Sequence, residues 1–503
     1  MHIVSTSPQE TENLARTLSL FARPGYVVLL KGDLGAGKST FARALIKALD
    51  NTGLDFDVPS PSFALTQTYD NTRVSVAHVD LYRLSNPAET QELGLEELAK
   101  SHLMLIEWPS AEIENLSSDV LELIFSGAGQ RRDITLNAKG AWVNILTRNM
   151  EIENFVTEHG GQIQTRVFLD GDASSRRYEK LSYQTRDVIL MDMPQRPDGP
   201  PVKNGKPYSA IAHLAENISA VVAINDQLCA MGFGAPQIFA CDVSHGLALI
   251  EDLGSRVFAT MLRRGDNMET PMRAAVEVLA DMAACEWPMA AKVRSGKDHI
   301  MPHYDQEAQL IEVDLLPSWF HMHVHKTKAP QSLNESFADV WCRILPFTVA
   351  QTPVWVMRDY HSPNLIWVPH QSGLKRVGII DSQDAVLGHP AYDLASMLQD
   401  ARVDISFDFA DRLYGHYVAL RKNSSNFDEA AFARAYAILG AQRATKILGI
   451  FARLNMRDGK PQYLQHMPRV SRYLKRNLEH AALVELRQWF EQHLPAALNV
   501  EQG

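Results

Sequence analysis

Apolar residues recur along the first 140 positions in two alternating textures. PQETENLARTLSLFA (8–22) spaces them three and four apart, the period of a helix with one buried face. YVVLLKG (26–32) gathers them into a continuous run, as a strand buried on both faces does. STFARALIKALD (39–50) returns to the helical period, and VSVAHVDLY (74–82) and LMLIEWP (103–109) are further buried runs. Between those two, PAETQELGLEELAK is helical with a glycine break. VLELIFSG and RRDITLNA, within 120–138, close the series as two short strands. Strands alternating with helices predict an α/β layer whose sheet is mainly parallel.

The texture then changes. Residues 139–160 read as a connector running into a new helix, which sets a boundary near residue 148: a first domain over 1–148 and a second over 149–503. The second opens with strand-like stretches (TRVFLDGDASSRRYEKLSY, DVILMDMP, PQIFACDVSHGLALIEDLG) and turns largely helical from about residue 255. A β patch interrupts the helices at 354–381 (VWVMRDY, NLIWVP, VGIIDSQ). A small β lobe followed by a helical lobe, with polar loops between, predicts a two-lobed, kinase-like α+β fold. The Pro- and Gly-rich PQRPDGPPVKNGKPY (194–208) reads as an exposed loop of the β lobe.

A length of 503 residues supports two or three domains. With 59 acidic against 49 basic residues the net charge is −10, so no global field draws the chain to nucleic acid or to a membrane surface. Any RNA role is expected to be local or to run through a partner. Cys229, Cys241, Cys285 and Cys342 are far apart with no CxxC, which suits reduced core residues in the cytoplasm. MHIVSTSPQETENLAR lacks the pattern of a signal peptide. No apolar run approaches the ~18 residues of a membrane span.

GDLGAGKST (32–40) fits G-x-x-x-x-G-K-[ST] and sits where that motif works, after a strand and before a helix. Glycines let backbone N–H groups approach phosphate: Gly32, Gly35, Ala36, Gly37 and Thr40 are expected around the nucleotide. Lys38 is expected to reach the β/γ oxygens, and Ser39 to bind Mg²⁺. Hydrolysis also needs carboxylates at strand ends, and Asp80 and Glu107 end two of the buried runs, where ligands gather in open α/β sheets.

Taken in order, GDLGAGKST, PSPSF (59–63), HVDLYRL (78–84), LGLEE (93–97) and IEWP (106–109) resemble the TsaE family over roughly residues 1–140. These are bacterial ATPases acting in threonylcarbamoyladenosine synthesis on tRNA. The resemblance implies that Ser39 and Glu107 hold Mg²⁺ and that Asp80 is needed for hydrolysis. It implies a switch-like loop of Ser60, Ser62 and Phe63, with Arg131 or Arg132 approaching the nucleotide. Ser62 stands where the family often has Thr. Two partner proteins would perform the transfer, so tRNA would be met only indirectly.

A second constellation lies more than 300 residues on. Asp359 and Asn364 in MRDYHSPNLIW have the D-x-x-x-x-N spacing of a kinase catalytic loop, and Asp381 follows an apolar strand 17 residues later. Asp359 is placed to accept the proton of an attacking hydroxyl, with Asn364 and Asp381 ligating Mg²⁺. With FLDGDASSRRYEKL, LMDMP, LIEDLG and IIDSQDAVLGHPAYDLAS, this resembles the aminoglycoside-phosphotransferase-like kinases over about residues 160–495. Within them it is most similar to the sugar kinases that phosphorylate N-acetylmuramate and N-acetylglucosamine at C1. The resemblance implies that GDASSRRY covers the phosphates of ATP, that the EDLG backbone (Glu251 onward) meets adenine, and that Asp393 braces the catalytic loop.

Three positions depart from the kinase pattern. The strand-three lysine is absent, leaving Arg177 or Lys180 to hold phosphates. Met357 replaces a histidine, which is expected to loosen the loop, and Ser382 replaces a phenylalanine. Two rivals therefore stand: a choline- or aminoglycoside-type kinase, and a regulatory module with weakened catalysis. His321, His323 and His325 in WFHMHVHK would share one face of a strand, as a metal site needs, but would splay on a helix, the reading favoured in a helical lobe.

Overall fold

The computed structural model describes the chain except residues 51–55, 85–88, 91, 111–112, 114, 128, 162, 170–175, 184–185, 196, 295–297, 425–426 and 502–503. It parts into two compact units, Met1–Leu190 and Met191–Gly503.

The first unit is built on a seven-stranded sheet. Its strands are β1 (His2–Ser5), β2 (Val27–Gly32), β3 (Thr66–Tyr69), β4 (Val76–Asp80), β5 (Leu103–Glu107), β6 (Val120–Ser126) and β7 (Arg132–Ala138), in the order β1-β7-β6-β2-β5-β4-β3. The central β6-β2-β5-β4 are parallel, and the pairs at both edges are antiparallel. The expected mainly parallel sheet is therefore a parallel core with antiparallel margins. Helix α1 (Pro8–Ser19) and α2 (Lys38–Ala48) follow β1 and β2; α3 (Leu95–Ala99) precedes β5, and α4 (Ala141–Glu158) follows β7. All residues of β4 and β5 are buried because both sheet faces are covered. Val28, Leu30 and Leu105 pack with Ala15, Phe41 and Leu45 on one face, and Val27, Leu29 and Met104 pack with Val79 and Leu95 on the other. The proposed boundary near residue 148 falls inside α4, within this unit.

A hairpin of β8 (Ile163–Leu169) and β9 (Arg177–Tyr183) also belongs to the first unit. The buried Glu179 is paired by Arg166 at 2.7 Å and by Arg177. The Arg177 guanidinium lies 3.7 Å from the Phe21 ring centroid, and Arg73 lies 4.5 Å from that of Phe168. Strand β10 (Arg186–Asp192) runs across the division.

In the second unit β11 (Pro201–Lys203) and β12 (Lys206–Pro207) form a small hairpin in the stretch read as loop, and β11 is wholly exposed. Next come α5 (Tyr208–Ile211), α6 (Ile218–Ala230) and the hairpin of β13 (Ile238–Asp242) and β14 (Leu247–Glu251). Helices α7 (Phe258–Arg264) and α8 (Glu269–Met282), the ribbon of β15 (Ala290–Ala291) and β16 (His299–Ile300), and α9 (Gln306–Val313) lead to α10 (His321–His325) and α11 (Gln331–Ile344). Two ribbons then carry the expected β patch: β17 (Val354–Val356) with β20 (Val386–Gly388), and β18 (Leu365–Trp367) with β19 (Val377–Ile379). The chain closes with α12 (Ala391–Leu398), α13 (Phe407–Arg421), the 30-residue α14 (Glu429–Asp458), α15 (Met467–Asn477) and α16 (Val484–His493).

The WFHMHVHK histidines are helical. His321 and His325, one turn apart, bring their rings to 4.5 Å, and no group of three or more His, Cys, Asp or Glu able to hold a metal occurs among the described residues.

Two candidate phosphoryl-transfer sites

The first site forms where β2 hands over to α2. Gly32 has φ +135°, and a Cβ there would stand 2.3 Å from the Phe125 carbonyl oxygen, so strand contact itself demands glycine. Gly35 and Gly37 are also left-handed, which turns the loop back onto the N-terminus of α2. Lys38 Nζ donates to the carbonyls of Gly32 (2.7 Å) and Asp33 (2.9 Å) and lies 3.7 Å from the Trp108 ring centroid. Burial pulls its pKa below the usual lysine range, while Glu107, Asp80 and Asp33 pull it back.

The carboxylates come from adjacent parallel strands in register, Asp80 opposite Glu107. Ser39 Oγ donates to Glu107 Oε2 at 2.8 Å, and His78 Nε2 lies 3.0 Å from Glu107 Oε1. Asp80 Oδ2 accepts from Ser62 (2.7 Å) and Ser60 (3.1 Å), so the PSPSF loop is tied to the strand end, while Phe63 is 86% exposed beside Arg83. Of the two candidate arginines, Arg132 touches the phosphate loop, donating to the carbonyls of Ala36 (2.7 Å) and Gly35 (3.1 Å). Arg131 is largely exposed and meets Asp133 at 3.5 Å. His78 and Trp108 went unread in the sequence. The histidine sits inside an apolar run, where a core residue is the ordinary reading, and its alternation with Asp80 on one strand was the available signal.

The groups around Asp359 lie within the second unit. Asp359 follows β17 in a loop held from outside. Asp393 on α12 accepts from the backbone N–H of Met357 (2.6 Å) and Arg358 (3.0 Å), the bracing that the resemblance implied. Asp400, unread in the sequence, accepts from the N–H (2.8 Å) and hydroxyl (2.5 Å) of Ser362. Met357 is buried, and its backbone is fixed by Asp393, so the missing histidine does not leave the loop unsupported. Asn364 Nδ2 donates to the Asp359 carbonyl at 3.1 Å. Arg358 and Asp381 both have positive φ (64° and 61°), a strained backbone where a site is held in place. Ser382 is buried, its hydroxyl donating to Asn225 at 3.0 Å.

Burial alone would raise the Asp359 carboxyl, but His361, Arg443, Lys446 and Arg358 outweigh it and hold the group below the usual carboxylate range. Burial pushes Asp393 up to about 7, against its two backbone bonds. A cavity of about 230 Å³ opens beside Asp359, lined by residues of α5, α9, α14 and the loops after β17, β19 and α12. Its floor is a buried network: Glu312 accepts from Arg358, Tyr304, Lys446 (2.7 Å) and Gln442 (3.0 Å). Arg443 lies 3.8 Å from Asp359 Oδ1. None of Glu312, Arg443 and Lys446 was legible, since each is a single charge in a helical pattern.

Two of the candidates for holding phosphate, Arg177 and Lys180, have protein partners in this structure. Arg177 bonds Glu179 and stacks on Phe21, and Lys180 meets Asp187 at 2.9 Å, so the structure commits both cations to protein partners. Glu251 ends β14 and accepts from the Gln237 N–H at 3.2 Å. In GDASSRRY, positions 171–175 lie outside the described residues.

Residues 5–134 match the family described as threonylcarbamoyl adenosine biosynthesis protein TsaE, and residues 165–433 match the phosphotransferase enzyme family. The N-acetylmuramate/N-acetylglucosamine kinase of Caulobacter vibrioides is 36% identical over 350 residues, which cover 68% of this chain and 95% of that protein. The tRNA threonylcarbamoyladenosine biosynthesis protein TsaE of Rickettsia bellii is 40% identical over 120 residues, covering 24% of this chain and 82% of that protein. Among solved structures, ADP-bound aminoglycoside phosphotransferase APH(2'')-Ib aligns with 64% of this chain and 96% of its own at 13% identity and TM-score 0.39. The chain thus belongs to the phosphotransferase enzyme family through its longer part and to the TsaE family through its first, two ATP-using enzymes in one polypeptide.

Proposed function

We propose that the first part hydrolyses Mg²⁺-ATP in the service of tRNA threonylcarbamoyladenosine modification, and that the second transfers phosphate from ATP to the C1 hydroxyl of N-acetylmuramate or N-acetylglucosamine. The names of the relatives support both substrates. No helix among the described residues is long and apolar enough to cross a membrane, which is compatible with work in the cytoplasm.

For the hydrolase, the observation that carries the reading is the Ser39–Glu107–His78 line of bonds beside Lys38. Ser39 and Glu107 offer hard oxygen donors side by side, the set that suits Mg²⁺. The backbone of Gly35, Ala36, Gly37 and Thr40 would cradle phosphate, and Lys38 would leave the loop carbonyls for the β/γ oxygens. Asp80 would orient water, and Arg132, in preference to Arg131, would hold the loop in shape. Partner proteins would carry out the transfer to tRNA.

For the kinase, the carrying observation is Asp359 presented to a partly open cavity by a loop braced through Asp393 and Asp400. A cavity near 230 Å³ is smaller than the roughly 300–1,000 Å³ of drug-sized ligands and suits one sugar ring. The sugar hydroxyl would attack the γ-phosphorus, its proton passing to Asp359, which is ionised at neutral pH, as ADP leaves. Asn364 and Asp381, again oxygen donors, would hold the metal, which when bound neutralises charge on the migrating phosphoryl. Arg443 would add a positive group at the reacting end.

The test is phosphate transfer from labelled ATP to N-acetylmuramate, N-acetylglucosamine, choline and an aminoglycoside. The intact chain is compared with Asp359→Asn and Lys38→Ala. Transfer to an amino sugar should vanish in Asp359→Asn and survive in Lys38→Ala, with hydrolysis behaving the other way round. Transfer to choline or the aminoglycoside alone would refute the sugar assignment, and no transfer at all would turn the second part into a regulatory module.

A further inference from the structure

We propose that the cavity beside Asp359 selects a sugar that carries a carboxylate, and that Arg453 is the residue that reads it. This rests on the sugar-kinase reading above and goes beyond it, since the two candidate sugars differ in that group: N-acetylmuramate bears a lactyl carboxylate on carbon 3, and N-acetylglucosamine does not.

The cavity is positive in an acidic protein. Arg358, Arg402, Arg443, Lys446 and Arg453 line it against three carboxylates, Glu312, Asp359 and Asp384. Arg358 and Lys446 both serve Glu312, and Arg443 faces Asp359. Arg453 is in a different position. No carboxylate among the described residues pairs with it; its Nε, like that of Arg443, is buried and meets no acceptor, and its guanidinium sits 5.7 Å from the Tyr208 ring centroid. A buried donor of that kind costs free energy until an acceptor arrives, and the open side of this one is the cavity. Burial and the nearby Arg457 pull the group below the usual arginine range, against Tyr208 and Asp458. A carboxylate would relieve both effects.

The placement follows from helix geometry. Positions 443, 446, 450 and 453 recur on one face of α14, so the cations and Ile450 share the wall. Arg443 marks the reacting end, and Arg453 lies ten residues on, roughly 15 Å along the axis. Ile447, Ile450 and Phe451 supply the apolar stretch between. A ring seated with its C1 hydroxyl at Asp359 turns its carbon 3 substituent away from that end, toward the far cation.

The experiment compares kcat/KM for N-acetylmuramate, its methyl ester and N-acetylglucosamine in the intact chain, in Arg453→Met and in Arg453→Lys. Wild type should prefer the free acid over its ester by about ten- to a hundred-fold, the factor of one charge-assisted bond. Arg453→Met should erase that preference and Arg453→Lys restore part of it. The ester comparison in wild type does not depend on any variant folding. The proposal is overturned, with the sugar-kinase reading intact, if wild type ignores esterification, if the preference survives in Arg453→Met, or if that variant only raises KM for ATP. Absence of transfer to any of the three sugars overturns both.

Discussion

At the scale of single residues, the groups that set the chemistry are those whose partners are buried. Glu107 has one oxygen on Ser39 and the other on His78, so the histidine fixes the carboxylate that is proposed to face the metal. Outer partners of this kind typically carry a ten- to hundred-fold effect. His78→Ala should therefore slow ATP hydrolysis by about that factor while changing nucleotide affinity far less, a split that steady-state kinetics beside a binding titration would show; equal losses in both would refute it. Glu312 gives the clearest dependence on pH. Burial would raise its pKa, but Lys446 and Arg358, with bonds from Lys446 and Tyr304, lower it from 4.5 to about 2. A depressed native pKa adds stability above the unfolded value and loses it as pH falls through the native one. The second unit should thus lose about 3 kcal/mol between roughly pH 4.5 and 2 through this group alone. Urea unfolding against pH should show the slope, and Glu312→Gln should flatten it. The phosphate-loop residues and Asp359, Asn364 and Asp381 were legible because their spacing is fixed by the chain itself. His78, Glu312 and Asp400 were not, because each takes its place from a partner 29 or more positions away.

At the scale of elements, the buried strands β2, β4 and β5 and the helices α1 and α2 were legible because each carries its own burial pattern. The edge strands β1 and β3 were missed: four residues each, with mostly exposed or half-buried positions, they are strands only because a neighbour pairs with them. The catalytic loop shows the same dependence. Its backbone, that of Met357 included, is held by acceptors on α12 and just after it. Removing Asp400 should expose that dependence. Asp400→Ala leaves the Ser362 N–H and hydroxyl without their acceptor inside the protein, a cost of about 1–3 kcal/mol for a buried unsatisfied group. Chemical denaturation should record that loss, and kcat for phosphate transfer should fall more than KM rises, because the loop aims Asp359. An unchanged kcat at reduced stability would assign Asp400 to folding alone.

At the scale of the whole molecule, family boundaries and compact units do not coincide. The phosphotransferase match begins at residue 165, yet the first compact unit runs to Leu190 and takes in β8 and β9. Within the hairpin Arg166 pairs with Glu179, with side-chain exposures of 4% and 0%, and Arg177 against Phe21 ties the hairpin to the rest of that unit. Arg166 also donates to Asn149 on α4 at 2.5 Å. One strand pair thus falls within the phosphotransferase match by sequence and within the first compact unit in the fold. Breaking a buried ion pair by removing one partner costs roughly 3–5 kcal/mol, because the other charge stays buried alone. Arg166→Ala should strand part of the Glu179 charge and loosen the hairpin from both sides. The expected outcome is a fall in both activities from this one substitution, where Lys38→Ala and Asp359→Asn each remove only one. The three variants measured in parallel, with a melting curve for each, decide it. If Arg166→Ala lowers the melting temperature and one activity only, the hairpin serves a single enzyme and the two are merely tethered. If both activities fall together, the shared strands tie the integrity of one site to that of the other, and the fusion has a structural consequence beyond keeping two enzymes on one chain.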